Sequence, residues 1–315
     1  MKRLVCVLLI IILSCNSDEF SEQDYIDANY VPGEENLVSE LSVLGFTSEL
    51  AFGRSISGLS DLESAFFGVG NAMFDQAWVS APASTASRDG LGPIFNARSC
   101  ASCHLNDGRG KPNIENGASS AGFLLRLSNG NDLTYGPIEH TTYGDQLQDN
   151  SNFGTDPEAE INVNFEYITG EYPDGTPYEL RKPTYTIVNE NYGAIGMVEQ
   201  SPRIGQQLIG LGFIDAISDA DILANADEFD TNNDGISGKA NYVWNVEEHT
   251  TALGKYGWKA NQPTLRQQIS AAFNGDMGLT TTLFPEENCP CPIGERTHHR
   301  KITTIPPHRL HHKGS

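Results

Sequence analysis

Cys100-Ala101-Ser102-Cys103-His104 is the stretch of this chain whose residue types and spacing are most suited to chemistry. Two thiols lie three residues apart, and an imidazole follows directly. On one helical turn, positions three and four apart share a face. Each thiol can then bond one vinyl group of a single porphyrin, while His104 turns its imidazole toward the iron from the proximal side. The pattern is that of a c-type haem attachment site. Two other chemistries fit less well. A redox Cys-x-x-Cys has no use for the histidine. A zinc knuckle needs a second ligand pair at suitable spacing. The next cysteines, Cys289 and Cys291, are remote and one residue apart, a separation that also strains a disulfide between them.

Other residues are candidates for work around such a group. Arg98 and Arg109 flank the motif and suit either haem propionates or a solvated surface. His140, Met197 and Met277 are candidate sixth ligands to iron, and each is equally at home as a packed residue. Glu199 and Asp215 are candidate acid–base groups, although single carboxylates in so acidic a chain carry little signal. Asp230-Thr231-Asn232-Asn233-Asp234-Gly235-Ile236 matches the first half of an EF-hand calcium loop. Asp230, Asn232 and Asp234 supply oxygens at positions one, three and five. Position twelve is Asn241 rather than the bidentate Glu, so a calcium site completed from elsewhere and a plain Asx-rich turn both remain open.

The elements that must position these residues follow from periodicity. Ser60 with Glu63 reads as a capping box. It opens a helix with an apolar stripe of Leu62, Ala65, Phe66, Val69, Met73 and Trp78. Asn96 is placed to cap a haem helix from Ala97 to about Leu105, stopped by the glycines at 108 and 110. Residues 123–127 and 184–188 read as strands. From Pro202 a helical stripe returns through Ile204, Leu208, Leu211, Ile214 and Ile217. Ser218 caps a further short helix. Pro263 suits the first turn of a last helix, with Leu265, Ile269, Ala272 and Phe273 on one face.

The formal net charge of −21 argues against nucleic acid, whose phosphates would repel it. It suits either a basic electron-transfer partner or a soluble extracytoplasmic surface. Lys2 and Arg3 precede the apolar run Leu4–Leu13, which is too short for a membrane span. Ile12-Leu13-Ser14-Cys15 resembles a lipoprotein cleavage box with Cys15 as the lipidated residue; the alternative is an ordinary cleaved signal. Export and covalent haem agree, since bacteria attach haem c outside the cytoplasm. The expected location is therefore the periplasmic or cell-surface side of a bacterial membrane, lipid-anchored, with a redox protein or a small redox substrate as partner.

With these motifs in view, the chain resembles the di-haem oxidoreductase family of peroxidases, also called thiol oxidoreductases. The resemblance rests on Gly90-Leu91-Gly92-Pro93-Ile94-Phe95-Asn96-Ala97-Arg98-Ser99-Cys100 through Gly110. It continues in Tyr143-Gly144-Asp145-Gln146-Leu147-Gln148, Leu180-Arg181-Lys182-Pro183-Thr184-Tyr185, Asp234-Gly235-Ile236-Ser237-Gly238, and Gly257-Trp258-Lys259-Ala260 through Met277-Gly278. It implies two haem groups on mainly α cytochrome c-like domains with added loops and short β-strands. The expected plan is a signal peptide (1–15), a polar linker (16–58), a haem domain with a β/loop insertion (59–255) and the incomplete start of a second cytochrome c-like domain (256–291). A basic tail (292–315) holding five of the eight histidines follows where the family carries a second Cys-x-x-Cys-His; its composition reads as a frameshifted or artificial end. Two functions are in play: a peroxidase-type oxidoreductase and a single-haem electron carrier.

Overall fold

The computed structural model describes residues 50–288. The Leu4–Leu13 run, Cys15, most of the linker, Cys289, Cys291 and the His-rich tail lie outside the described residues. In chain order the named elements are α1 (Asp61–Asp75), β1 (Ile94–Phe95), α2 (Cys100–Cys103), β2 (Gly117–Ala118), β3 (Phe123–Ser128), β4 (Asn131–Asp132), β5 (Gly136–Pro137), β6 (Asn150–Ser151), β7 (Glu160–Glu171), β8 (Pro177–Val188), β9 (Glu199–Ile204), α3 (Leu211–Ala216), α4 (Asp219–Ala224), β10 (Tyr242–Asn245), β11 (Thr250–Leu253) and α5 (Leu265–Met277). The strands form small antiparallel sheets: β1–β6, β2–β7–β8, β3–β9, β4–β5 and β10–β11. Among the described residues no helix is long and apolar enough to cross a membrane.

This overturns the expectation of a mainly α fold. Helix accounts for 22% and strand for 27%. The reason lies in residues 117–204. Strands β7 and β8 run twelve residues each as one hairpin, and Ile161 and Val163 alternate inward at its base. The stripe expected from Ile204 to Ile217 is not one helix. Ile204 ends β9, which pairs with β3. Gly210 then takes a left-handed conformation, φ 74°, leaving only Leu211–Ala216 helical. Pro202 sits in β9 because that two-stranded sheet leaves one edge open, where a missing N–H costs nothing.

The helix ends are better determined by their side chains. Ser60 Oγ accepts from the Glu63 N–H, and Glu63 Oε2 accepts from the Ser60 N–H at 2.8 Å. Ser218 caps α4 by accepting from the Asp221 N–H. Thr264 caps α5 by accepting from the Gln267 N–H, so Pro263 lies before the cap and not in the first turn. Gly278 stops α5 at φ 65°. A Cβ on Gly92 would lie 2.7 Å from the Gly278 Cα, so this crossing admits only glycine.

Two apolar clusters form the interior. Phe123, Leu125 and Leu127 from one face of β3 meet Tyr143, Leu147, Ala159, Ile161 and Ile195. Trp78, Leu91 and Phe95 meet Phe273, Met277 and Leu279, with Met73 and Cys100 against them. A polar seam joins the two. Asn96 Nδ2 donates to the Leu147 carbonyl at 2.7 Å and to Asp149 Oδ1 at 3.1 Å. Gln146 Nε2 donates to Asn96 Oδ1 at 2.6 Å and to Asp276 Oδ1 at 2.7 Å. Gln148 Nε2 donates to the Gly275 carbonyl at 2.9 Å. The amide N–H groups are satisfied in this seam, while the buried Oε1 atoms of Gln146 and Gln148 have no partner.

Glu158 is the carboxylic acid packed against this seam. It is fully buried. Its Oε2 accepts from the Gln148 N–H at 2.7 Å, while Oε1 has no partner. Burial pushes its carboxyl up to about 8. The folded chain therefore keeps this proton after the unfolded chain has released it. Stability attributable to Glu158 falls as pH rises from the ordinary carboxylate range to about 8, by an amount on the order of a few kcal/mol. Glu158→Gln, which mimics the neutral acid, should flatten the dependence of melting temperature on pH across this window and melt above the wild type at its alkaline end. Parallel curves for the two chains would contradict the assignment.

Candidate haem-attachment site

Cys100 and Cys103 are the ends of α2, a single helical turn. Ser99 caps it, with extended backbone (φ −154°, ψ 158°) and its Oγ accepting from the Ser102 N–H at 3.2 Å. The helix is thus shorter than the expected span of 97–105. Asn96 is withdrawn from capping because its side chain belongs to the polar seam. The His104 N–H closes the turn on the Cys100 carbonyl at 2.9 Å. Asn106 and Asp107 then turn left-handed, at φ 54° and 60°, and end the helix before the glycines are reached.

Both thiols are unpaired and half-buried. Burial, with the nearby Asp276 carboxyl, pushes Cys100 up to about 11 and Cys103 up to about 12. A redox Cys-x-x-Cys requires the opposite, a thiolate stabilised at neutral pH. These thiols are held as neutral nucleophile precursors on one face.

His104 carries the decisive geometry. Its Nδ1 lies 2.6 Å from the Gln206 carbonyl oxygen. A carbonyl can only accept, so Nδ1 holds the ring proton and Nε2 presents its lone pair. This is the arrangement of a metal-ligating histidine oriented by an outer partner. Gly205 stands behind the ring: a Cβ there would lie 3.2 Å from His104 Cε1. Gly122 lies behind Cys103, where a Cβ would come within 2.7 Å of its carbonyl oxygen. Phe74, on the last turn of α1, packs toward the imidazole at 6.4 Å between ring centres.

The surroundings suit a large apolar body. Phe66 and Phe67 of α1 are 44% and 40% exposed, Leu105 51% and Phe213 45%. These segments border the motif: α1 through Phe74, and the approach to α3 through the Leu208 N–H, which donates to the Asp107 carbonyl at 2.9 Å. Exposed apolar side chains on segments that border a donor set suit a ligand-covered surface. The residues present therefore fit a haem, with the two thiols and the His104 imidazole as the groups that would hold it.

The other candidates are placed differently. His140 Nδ1 accepts from the N–H groups of Thr142 and Tyr143, both at 3.1 Å, so its Nε2 donates to the Ile195 carbonyl at 3.2 Å. Both ring nitrogens are committed. Met277 is buried in the second cluster, and Met197 is fully exposed. Arg98 and Arg109 are exposed, and Arg98 Nε donates to the Trp78 carbonyl at 3.3 Å. Asp215 accepts from the Tyr256 hydroxyl at 2.6 Å, and Glu199 pairs along β9 with Ser128. In the 230–236 loop, Asp230 accepts from the N–H groups of Asp234 and Gly235, Asn232 from Asp234, and Asp234 from Ile236. Asn241 donates to the carbonyls of Lys259 and Ala260. That is the Asx-turn geometry, and among the described residues no group of three or more His, Cys, Asp or Glu side chains is arranged to hold a metal ion. Gly205, Gln206 and Asp276 were not identified from sequence. Gln206 acts through its backbone, which leaves no trace in residue type.

No curated protein and no solved structure matches the chain. The family model described as di-haem oxidoreductase, putative peroxidase, matches residues 43–300. The match takes in α1, the attachment motif, the polar seam and α5, and ends within the His-rich tail. The chain belongs to the di-haem oxidoreductase family.

Proposed function

We propose that this chain carries haem c, attached through Cys100 and Cys103 and ligated by His104, and acts outside the cytoplasm as a peroxidase-type oxidoreductase. The observation that carries the reading is the His104–Gln206 hydrogen bond beside two unpaired thiols on one turn. It leaves one imidazole nitrogen pointed away from the backbone and ready to ligate. Bound haem supplies the electrons and the Lewis-acid centre for breaking a peroxide O–O bond. The chain's own part is to hold the proximal nitrogen in one tautomer, to exclude water with the aromatic side chains of α1 and α3, and to bind the group irreversibly. The acidic surface suits a basic redox partner.

A second reading, a non-enzymatic carrier of single electrons, is favoured by the one Cys-x-x-Cys-His in the chain. Spectra of the purified haem-loaded protein separate the two. A peroxidase site shows a high-spin fraction that shifts on adding cyanide and turns over peroxide with a reduced donor. A wholly low-spin iron, indifferent to both reagents, would assign the chain to electron transfer.

Cys15 supplies the anchor in this proposal. Cys15→Ser should move the mature protein from the membrane pellet to the soluble extracytoplasmic fraction without altering its haem spectrum. Equal membrane association of both chains would contradict lipidation at Cys15.

A further inference from the structure

Arg203 lies on β9, shortly before Gln206, the residue whose carbonyl orients His104. The β3–β9 register sets it opposite Leu124, with Ser201 opposite Arg126. Side chains alternate across a sheet. Phe123, Leu125, Leu127 and Ile204 take the face that packs into the first cluster, so Leu124, Arg126, Ser201 and Arg203 share the other. The Gly205 N–H donates to the Gly122 carbonyl at 2.8 Å and carries the ladder one pair further. Position 205 therefore points to the same side as Arg203, about 7 Å along the strand. A Cβ there would lie 3.2 Å from His104 Cε1. The arginine and the imidazole thus stand on one side of this sheet.

Arg203 is short of a counter-charge. It is half-buried in a chain with 41 acidic residues against 20 basic ones. Among the described residues, however, no carboxylate lies within ion-pair distance of it. Its Nε donates to Ser201 Oγ at 3.3 Å, a bond that orients the planar fork and leaves its two terminal nitrogens to meet another group. Arg126 beside it is committed to Asp145. Burial and the Arg126 charge hold the Arg203 guanidinium below its ordinary range, with Asp145 opposing. Arginine withdrawn from water is ordinarily paired with an anion.

We propose that Arg203, oriented by Ser201, binds a propionate carboxylate of the haem held by His104. The inference rests on the haem reading above. A guanidinium presents two parallel N–H donors that match the two oxygens of a carboxylate. The contact is an ion pair and involves no covalent step. It supplies the anion that Arg203 lacks. It also offsets negative charge beside the metal, which favours the reduced iron.

The test is resonance Raman spectroscopy of the full haem-loaded chain, read at the propionate bending bands, together with its midpoint potential at fixed pH. Arg203→Gln should move one propionate band to lower frequency and lower the potential. Arg203→Lys keeps the charge but not the fork, so it should move the band and leave the potential near that of the wild type. Ser201→Ala should move the same band by a smaller amount. Arg109→Gln, at an exposed arginine, should leave both readings unchanged. Should Arg203→Gln fail to mature, Arg203→Lys and Ser201→Ala carry the test. Unmoved propionate bands in the haem-bearing variants at 203 or 201, or the same shift in Arg109→Gln, would overturn this assignment and leave the haem reading standing. A wild-type chain that acquires no haem overturns that reading, and this inference with it.

Discussion

The hydrogen bond from His104 Nδ1 to the Gln206 carbonyl is the contact on which the site depends. A histidine that follows a helical turn is free to adopt either tautomer and several ring orientations. One backbone acceptor removes that freedom and leaves Nε2 as the only lone pair. The acceptor can reach the ring because Gly205 has no side chain to keep the two segments apart. Sequence positions 104 and 206 thus meet through a backbone carbonyl and a glycine, without any charged residue to mark the pairing.

The rest of the fold serves to hold this meeting still. The attachment turn is only four residues long, far below the length at which a helix sustains itself. It is supported by Ser99 as its cap, by α1 packing through Phe74, and by the end of α5 bonded to Asn96 and Ala97. The amide seam of Asn96, Gln146 and Gln148 couples that end to the β3 cluster. Displacing α5 would therefore disturb the motif, although the two are more than 150 residues apart in sequence.

The candidate attachment turn is legible in the sequence, and less of the fold is. The Cys100–Cys103–His104 spacing dictates a shared face whatever surrounds it, so it was readable from local geometry alone. The Ser60 and Ser218 caps were readable for the same reason. The mainly α expectation fails because residues 160–171 alternate Ile161, Val163 and Phe165 with polar residues, a period-two pattern that the helical family resemblance does not carry. The stripe from Ile204 to Ile217 had helical spacing by coincidence; Gly205 and Gly210 interrupt it, and Ile204 is claimed by strand pairing. Asn96 was credited with a cap that Ser99 provides, since either residue type can serve and only the seam decides between them. Glu158 and Asp276 are invisible in a chain this acidic until burial distinguishes them.

The most direct measurement is the mass of the denatured, acid-extracted protein after expression in cells competent for cytochrome maturation. A chain that keeps the mass of one haem, with an intense Soret band travelling with the polypeptide, is the predicted result. A colourless chain of polypeptide mass alone, or a haem released by extraction, would contradict attachment at Cys100 and Cys103.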